Sequence, residues 1–154
     1  MTKEEEIISA IILKLQDITT ANAYLTNIGN NVNDFNGNTI PTGTESYLEV
    51  RDTQVDFIKI GEDDSLELRH NQIMTLEIFV QFEKKDISYA RKAAADIYKC
   101  IGTNKWYFWD TYQISFKPLR HIKDINKEDR TLTGLKVFLL IEFNTPQWGV
   151  EEAL

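Results

Sequence analysis

The chain has 154 residues, long enough to bury a core but too short for two comfortable domains, and its 42% apolar and 11% aromatic content is that of a folded globular protein. A net charge of −7 argues against a primary role in gripping nucleic acid, because phosphate binding draws its affinity from clustered Lys and Arg. No apolar run reaches the roughly 18 residues that a membrane span needs, so insertion is excluded.

In chain order, the first predicted element is a helix over Lys3 to Ile18. Ile7, Ile8, Ile11, Ile12 and Leu15 recur at helical spacing, and Glu4, Glu5 and Glu6 sit where the helix dipole favours negative charge. From Thr19 to Glu45 the pattern dissolves into a segment rich in Asn, with three Gly and Pro41, broken only by the extended-looking Ala23 to Ile28. A loop of this length in a small domain is either a loose connection or an arm that orders against a neighbouring subunit. Short strands follow at Ser46 to Arg51 and Val55 to Ile60, then an acidic turn at Gly61 to Ser65. In Ile73 to Phe82, Met74, Leu76, Ile78, Val80 and Phe82 alternate with Thr75, Glu77 and Gln81, the period of a strand with one buried face.

Asp86 caps a second predicted helix, whose stripe of Ala90, Ala93, Ala94, Ile97, Tyr98 and Ile101 ends at Gly102. Trp106, Tyr107, Phe108 and Trp109 then form an aromatic cluster, either core or hinge packing or, if exposed, an interface anchor. Two strands follow, Thr111 to Leu119 and Leu132 to Asn144, separated by the polar stretch His121 to Arg130, which reads as a hairpin loop. From Thr145 the periodicity stops, and an extended terminal segment is expected. The order implies an α+β domain spanning 1–154: a mainly antiparallel β-sheet covered by two α-helices, with a long loop in the N-terminal half.

Chemistry is hard to find in these residues. His70 and His121 are the only histidines for base work, and both lie in charged stretches. Cys100, the single cysteine, permits no intramolecular disulfide and falls beside an apolar stripe, where a thiol behaves as a small hydrophobe. The start, Met1 to Glu6, is acidic where a secretory leader would be basic, so synthesis and folding in a reducing cytoplasm are expected. Glu62, Asp63, Asp64 and Glu67 lack the spacing of a calcium loop. Glu83, Lys84 and Lys85, with Asp63 or Asp64 upstream, have the residue types of a metal-dependent nuclease, but such a triplet arises by chance in a chain with 27% charged residues. The expectation is no enzyme, no cofactor, no metal and no small-molecule substrate. Charge is uneven: residues 1–77 hold 14 acidic and 5 basic groups, residues 78–154 hold 10 and 12. That suits either chance surface variation or a subunit whose faces meet different partners.

The long alternating strand, the Ala-rich helix and a last strand pair ending in Phe143, Asn144, Thr145, Pro146, Gln147 and Trp148 resemble the tail terminator, or tail completion, proteins of long-tailed bacteriophages and prophages. The resemblance covers nearly the whole chain as an order of elements and carries no catalytic signature. It implies a virion structural protein at the head-tail junction: a ring, typically of six subunits, that sits on the tail tube protein, stops tube polymerisation and faces a neck or stopper protein of the head. Another tail, neck or baseplate subunit is the alternative. Under this resemblance the candidate contact positions are Asn30, Asn31, Asp34, Phe35 and Asn36 in the loop, and Arg120, Lys123, Lys127 and Arg130 in the polar hairpin. Deleting Asn30 to Asn38 is then expected to spare folding and weaken assembly.

Overall fold

The computed structural model describes residues 1–37, 46–58 and 69–146. Helix α1 spans Lys3–Leu15 and opens with a reciprocal cap: Thr2 Oγ1 accepts from the Glu5 amide at 3.2 Å, and the Glu5 carboxylate accepts from the Thr2 amide at 2.8 Å. That second bond, together with the cap, holds the Glu5 carboxyl below its usual range. The helix stops three residues before the predicted Ile18, and tight turns carry the chain onward, with the Ile18 amide donating to the Leu15 carbonyl at 3.1 Å.

Residues 19–36 are neither a loose connection nor a free arm. They form short 3-10 turns at Thr20–Asn22 and Ile28–Asn30, then strand β1, Val32–Asp34. Two devices hold them. The Asp96 side chain, 1% exposed, accepts from the Leu25 amide (3.0 Å), the Thr26 amide (2.8 Å) and the Thr26 hydroxyl (2.6 Å). Gly29 sits against the end of α1, where a Cβ would lie 2.6 Å from the Leu15 oxygen, 2.7 Å from that of Ile18 and 2.8 Å from that of Gln16; only a residue with no side chain fits.

Strand β2 runs Ser46–Phe57, so the two predicted short strands are one. A bulge explains the broken pattern: pairing shifts between Asp52 and Gln54, leaving Thr53 without an opposite residue. Strand β3, Arg69–Lys85, extends the predicted Ile73 to Phe82 at both ends. Helix α2, Ile87–Thr103, is capped by Asp86, whose carboxylate accepts from the Tyr89 amide at 2.9 Å. A third helix, α3, Lys105–Tyr112, corrects the expectation that a strand begins at Thr111. Its aromatic run has no apolar stripe to announce a helix. It ends at Gln113, which takes a left-handed φ of 57° and donates back to the Phe108 and Trp109 carbonyls.

Strand β4 spans Ser115–Ile125 and β5 spans Leu132–Pro146, so the first half of the predicted polar hairpin is strand. The five strands lie in the order β1-β2-β3-β5-β4; β1 is parallel to β2 and every other pairing is antiparallel. One face packs under the helices: Leu48 and Val50 of β2, Met74, Leu76, Ile78 and Val80 of β3, and Leu135, Val137, Leu139 and Ile141 of β5 meet Ile7, Ile11 and Leu15 of α1 and Ala90, Ala93 and Ile97 of α2, all buried. The small Ala side chains let α2 lie close to the sheet. This is the α+β sheet-and-helix architecture expected from the sequence, with a third helix added.

Candidate functional site

The two groups of predicted contact residues fall at opposite edges of one sheet. At the β1 edge, Asn31 is built into the ladder: its carbonyl accepts from the Leu48 amide at 2.9 Å, and its side-chain oxygen accepts from the Asn33 amide group at 2.8 Å. Asp34 closes β1, and the Phe35 amide donates to the Val50 carbonyl at 3.2 Å. Asn30, Asp34, Phe35 and Asn36 are exposed, the Phe35 ring by 58%. Removing Asn30 to Asn38 would therefore also take away the edge strand Val32–Asp34.

At the β4 edge, Arg120 and Lys123 are strand residues, and the Arg120 guanidinium lies 5.0 Å from the Phe138 ring centre. Lys127 and Arg130 belong to a compact turn. There the Asn126 amide donates to the Thr131 carbonyl at 2.8 Å, the Asp129 carboxylate accepts from the Thr131 hydroxyl at 2.7 Å, and Arg130 takes a left-handed φ of 58°. Four strand spacings of about 4.8 Å put roughly 19 Å between the outer strands, so the two groups are separate surfaces.

Sequence reasoning missed the aliphatic residues on the β4 side and offered the tryptophans there as an interface anchor only if exposed. Leu119, Ile122 and Ile125 are 43%, 44% and 53% exposed, and on the adjoining α3 Trp106 and Trp109 are 67% and 46% exposed. Neither the spacing nor the setting betrays them, because β4 changes register between Pro118 and Arg120 and again near Ile125, which breaks strict alternation. The aromatic cluster divides: Phe108 is fully buried against Phe116, ring centres 4.8 Å apart, while the two Trp residues face outward. Between α3, the end of α2 and the start of β4 lies an apolar groove of about 570 Å³, with Ile101, Trp109, Phe116, Pro118 and Leu139 among its walls and Lys105 as the cation in its lining. A smaller hollow of about 230 Å³ shares Trp109 and Ser115 with it and reaches Phe143 and Asn144 near the end of β5.

Among the described residues, the face of the sheet away from α1 and α2 carries a charged network. Glu49, 2% exposed, accepts from the Tyr47 hydroxyl at 3.1 Å and from Arg51, which also donates to Glu77 at 3.0 Å and lies 4.5 Å from the Phe79 ring centre. Burial alone would lower the Arg51 pKa, but the hydrogen bonds to Glu49 and Glu77 outweigh it and hold the guanidinium above its usual range. Burial and the Glu49 carboxylate raise the Tyr47 phenol. These groups satisfy one another, which makes the cluster a structural tie across β2 and β3.

The residues considered for chemistry are placed as follows. His121 lies on β4 with Nδ1 2.9 Å from the Tyr98 hydroxyl. Cys100 is fully buried, its thiol pushed up by burial, and its sulfur donates to the Lys14 carbonyl at 3.3 Å. Lys85, at the end of β3, has its ammonium 5.3 Å from the Tyr89 ring centre. Asp63, Asp64, the rest of the acidic turn and the tail beyond Pro146 lie outside the described residues, as does the side chain of His70. Among the described residues no group of three or more His, Cys, Asp or Glu is placed to hold a metal ion, and no helix is long and apolar enough to cross a membrane. Compared with known proteins, the chain matches no protein-family profile and no curated protein.

Proposed function

We propose that this chain is a structural subunit of a phage tail, acting as the terminator that caps the tail tube and joins it to the head. The observation that carries the reading is the β4 side of the molecule: an eleven-residue edge strand with three exposed aliphatic residues and three cations, continuous with two outward tryptophans. Unpaired strand edges are templates for another chain, and contiguous exposed apolar surface marks protein contacts. Tryptophan and arginine are the residues that most often dominate such contacts. A closed ring needs two different patches that meet head to tail, and the β1 edge with Phe35, more than half exposed, supplies a second patch across the sheet. The order of elements, which resembles that of tail terminators, supplies the identity of the assembly.

The test is electron microscopy of particles made after the gene is deleted from its phage or prophage. Tails of uncontrolled length without heads are expected. Tails of normal length joined to heads overturn the reading and leave a tube or baseplate role, which is separated by where the protein sits in the particle.

A further inference from the structure

The two outer strands of the sheet carry opposite charge on one face and matching apolar groups on the other. Side chains paired across neighbouring strands share a face, and successive ones alternate. On β1, Asp34 lies opposite the buried Val50 and so turns to the side covered by the helices. Two more carboxylates crowd it there. Partial burial and then the charge of Asp34 raise the Asp52 carboxyl, and partial burial and then Asp52 and Glu5 raise that of Glu4 on α1. Among the described residues no cation lies within ion-pair distance of Asp34, Asp52 or Glu4. Phe35, next in the chain, turns to the other face, its ring centre 5.8 Å from the Arg51 guanidinium and its side chain 58% exposed.

At the β4 edge the charge is reversed. Lys123 lies opposite the buried Leu135 and His121 opposite Val137, and His121 reaches Tyr98 of α2, so both are on the helix-covered side. Arg120 and Ile122, opposite Phe138 and Lys136, are on the other face, with Ile122 44% exposed. Topology supplies the direction. β1 is parallel to β2, and three antiparallel pairings lead from β2 to β4, so β4 runs opposite to β1. A second copy set beside the first without turning the sheet over therefore brings its β1 antiparallel to β4, with the helix-covered sides of both chains together.

We propose that β4 of one copy pairs antiparallel with β1 of a second copy, setting Lys123 against Asp34 and its neighbouring carboxylates on the helix-covered side and Ile122 and Arg120 against Phe35 on the other. The sheet then continues from one chain into the next. Like edges are rejected, because β1 on β1 would crowd the carboxylates further and β4 on β4 would oppose cations. The inference deepens the assembly reading and rests on it for the ring that repeated contacts close, not for the contact itself.

Mixed crosslinking of full-length chains tests it. One chain carries Phe35→Cys and the other Ile122→Cys, both at exposed side chains, and a short bifunctional maleimide joins thiols that meet. Cys100 is buried with its thiol pushed up, so the introduced cysteines are the reactive ones. The expected product is a covalent pair with one chain of each kind, absent when either variant is treated alone. Lys123→Glu in the second chain should lower the yield several-fold, and Asp34→Lys in the first should recover most of it. Asp34→Cys with Lys123→Cys repeats the measurement on the opposite face if a variant of the first pair melts differently from the unaltered chain. No mixed pair, equal linking of each variant with itself, or a yield that Lys123→Glu leaves unchanged overturns the proposal. Mixed pairs from a chain whose deletion leaves headed tails of normal length keep this contact and overturn the terminator reading; headless tails without mixed pairs do the reverse.

Discussion

Replacing Asp96 by Ala tests how the segment after α1 is held. Its carboxylate, 1% exposed, accepts three hydrogen bonds from Leu25 and Thr26, about 70 residues away in sequence. Hydrogen bonds to a charged group contribute about 1.5–3 kcal/mol each, and a buried donor left without a partner costs about 1–3 kcal/mol. The Leu25 amide can turn to water because its residue is exposed, whereas Thr26, 4% exposed, loses both partners inside. Ala returns about 0.5 kcal/mol in helix propensity. The net expectation is a loss of about 3 kcal/mol, or about 6–12 °C in Tm for a domain of this size. Thr26→Val removes only the hydroxyl and should cost about 1 kcal/mol. The double variant should be less than additive by about the same amount, since both changes delete one bond. Urea denaturation followed by circular dichroism measures all three. A loss for Asp96→Ala below about 0.5 kcal/mol, the range of ordinary surface changes, refutes the clamp.

Gly29→Ala drives a methyl into three backbone carbonyls at 2.6–2.8 Å; a loss of about 2–4 kcal/mol is expected in the same assay, and an unchanged midpoint contradicts the close approach. Phe108→Ala, at a fully buried ring, should cost about 3–5 kcal/mol, whereas Trp106→Ala, at a 67% exposed one, should stay within about 0.5 kcal/mol. Equal effects would mean that the two rings are not divided between core and surface. Asp52 gives a pH signature. Burial and then the neighbouring Asp34 raise its carboxyl above 3.8, so the folded state binds its proton more tightly than the unfolded state does. The stability this contributes is therefore present below pH 3.8 and lost as pH rises through the folded-state pKa. Asp52→Asn should raise the melting temperature slightly at pH 7, with the gain fading on acidification, and a gain independent of pH contradicts the assignment.

The long central strand and the second helix were legible because their patterns are governed by one buried face each: Met74 to Phe82 alternate over the core, and Ala90 to Ile101 repeat at helical spacing under a clear Asp86 cap. Local rules failed where tertiary contact decides. The Asn-rich segment has the composition of a loop, yet one buried carboxylate in α2 and a glycine against α1 order it and turn part of it into an edge strand. Helix α3 was hidden because its aromatic residues lack a stripe, only Phe108 being buried. The interrupted alternation of β2 and β4 came from bulges at Thr53 and Leu119, which move later residues to the other face. The contact candidates were found by charge and composition. The tryptophans were named as an interface anchor only if exposed, and the exposed aliphatic side chains of β4 were not found at all, because exposure is a property of the assembled sheet.

The assembly role is tested most directly in vitro, by adding the purified chain to tail tubes that are still growing and measuring tube length by electron microscopy. The account predicts that growth stops, with added density at one tip and heads then able to join. Tubes that lengthen at an unchanged rate with bare tips would contradict it.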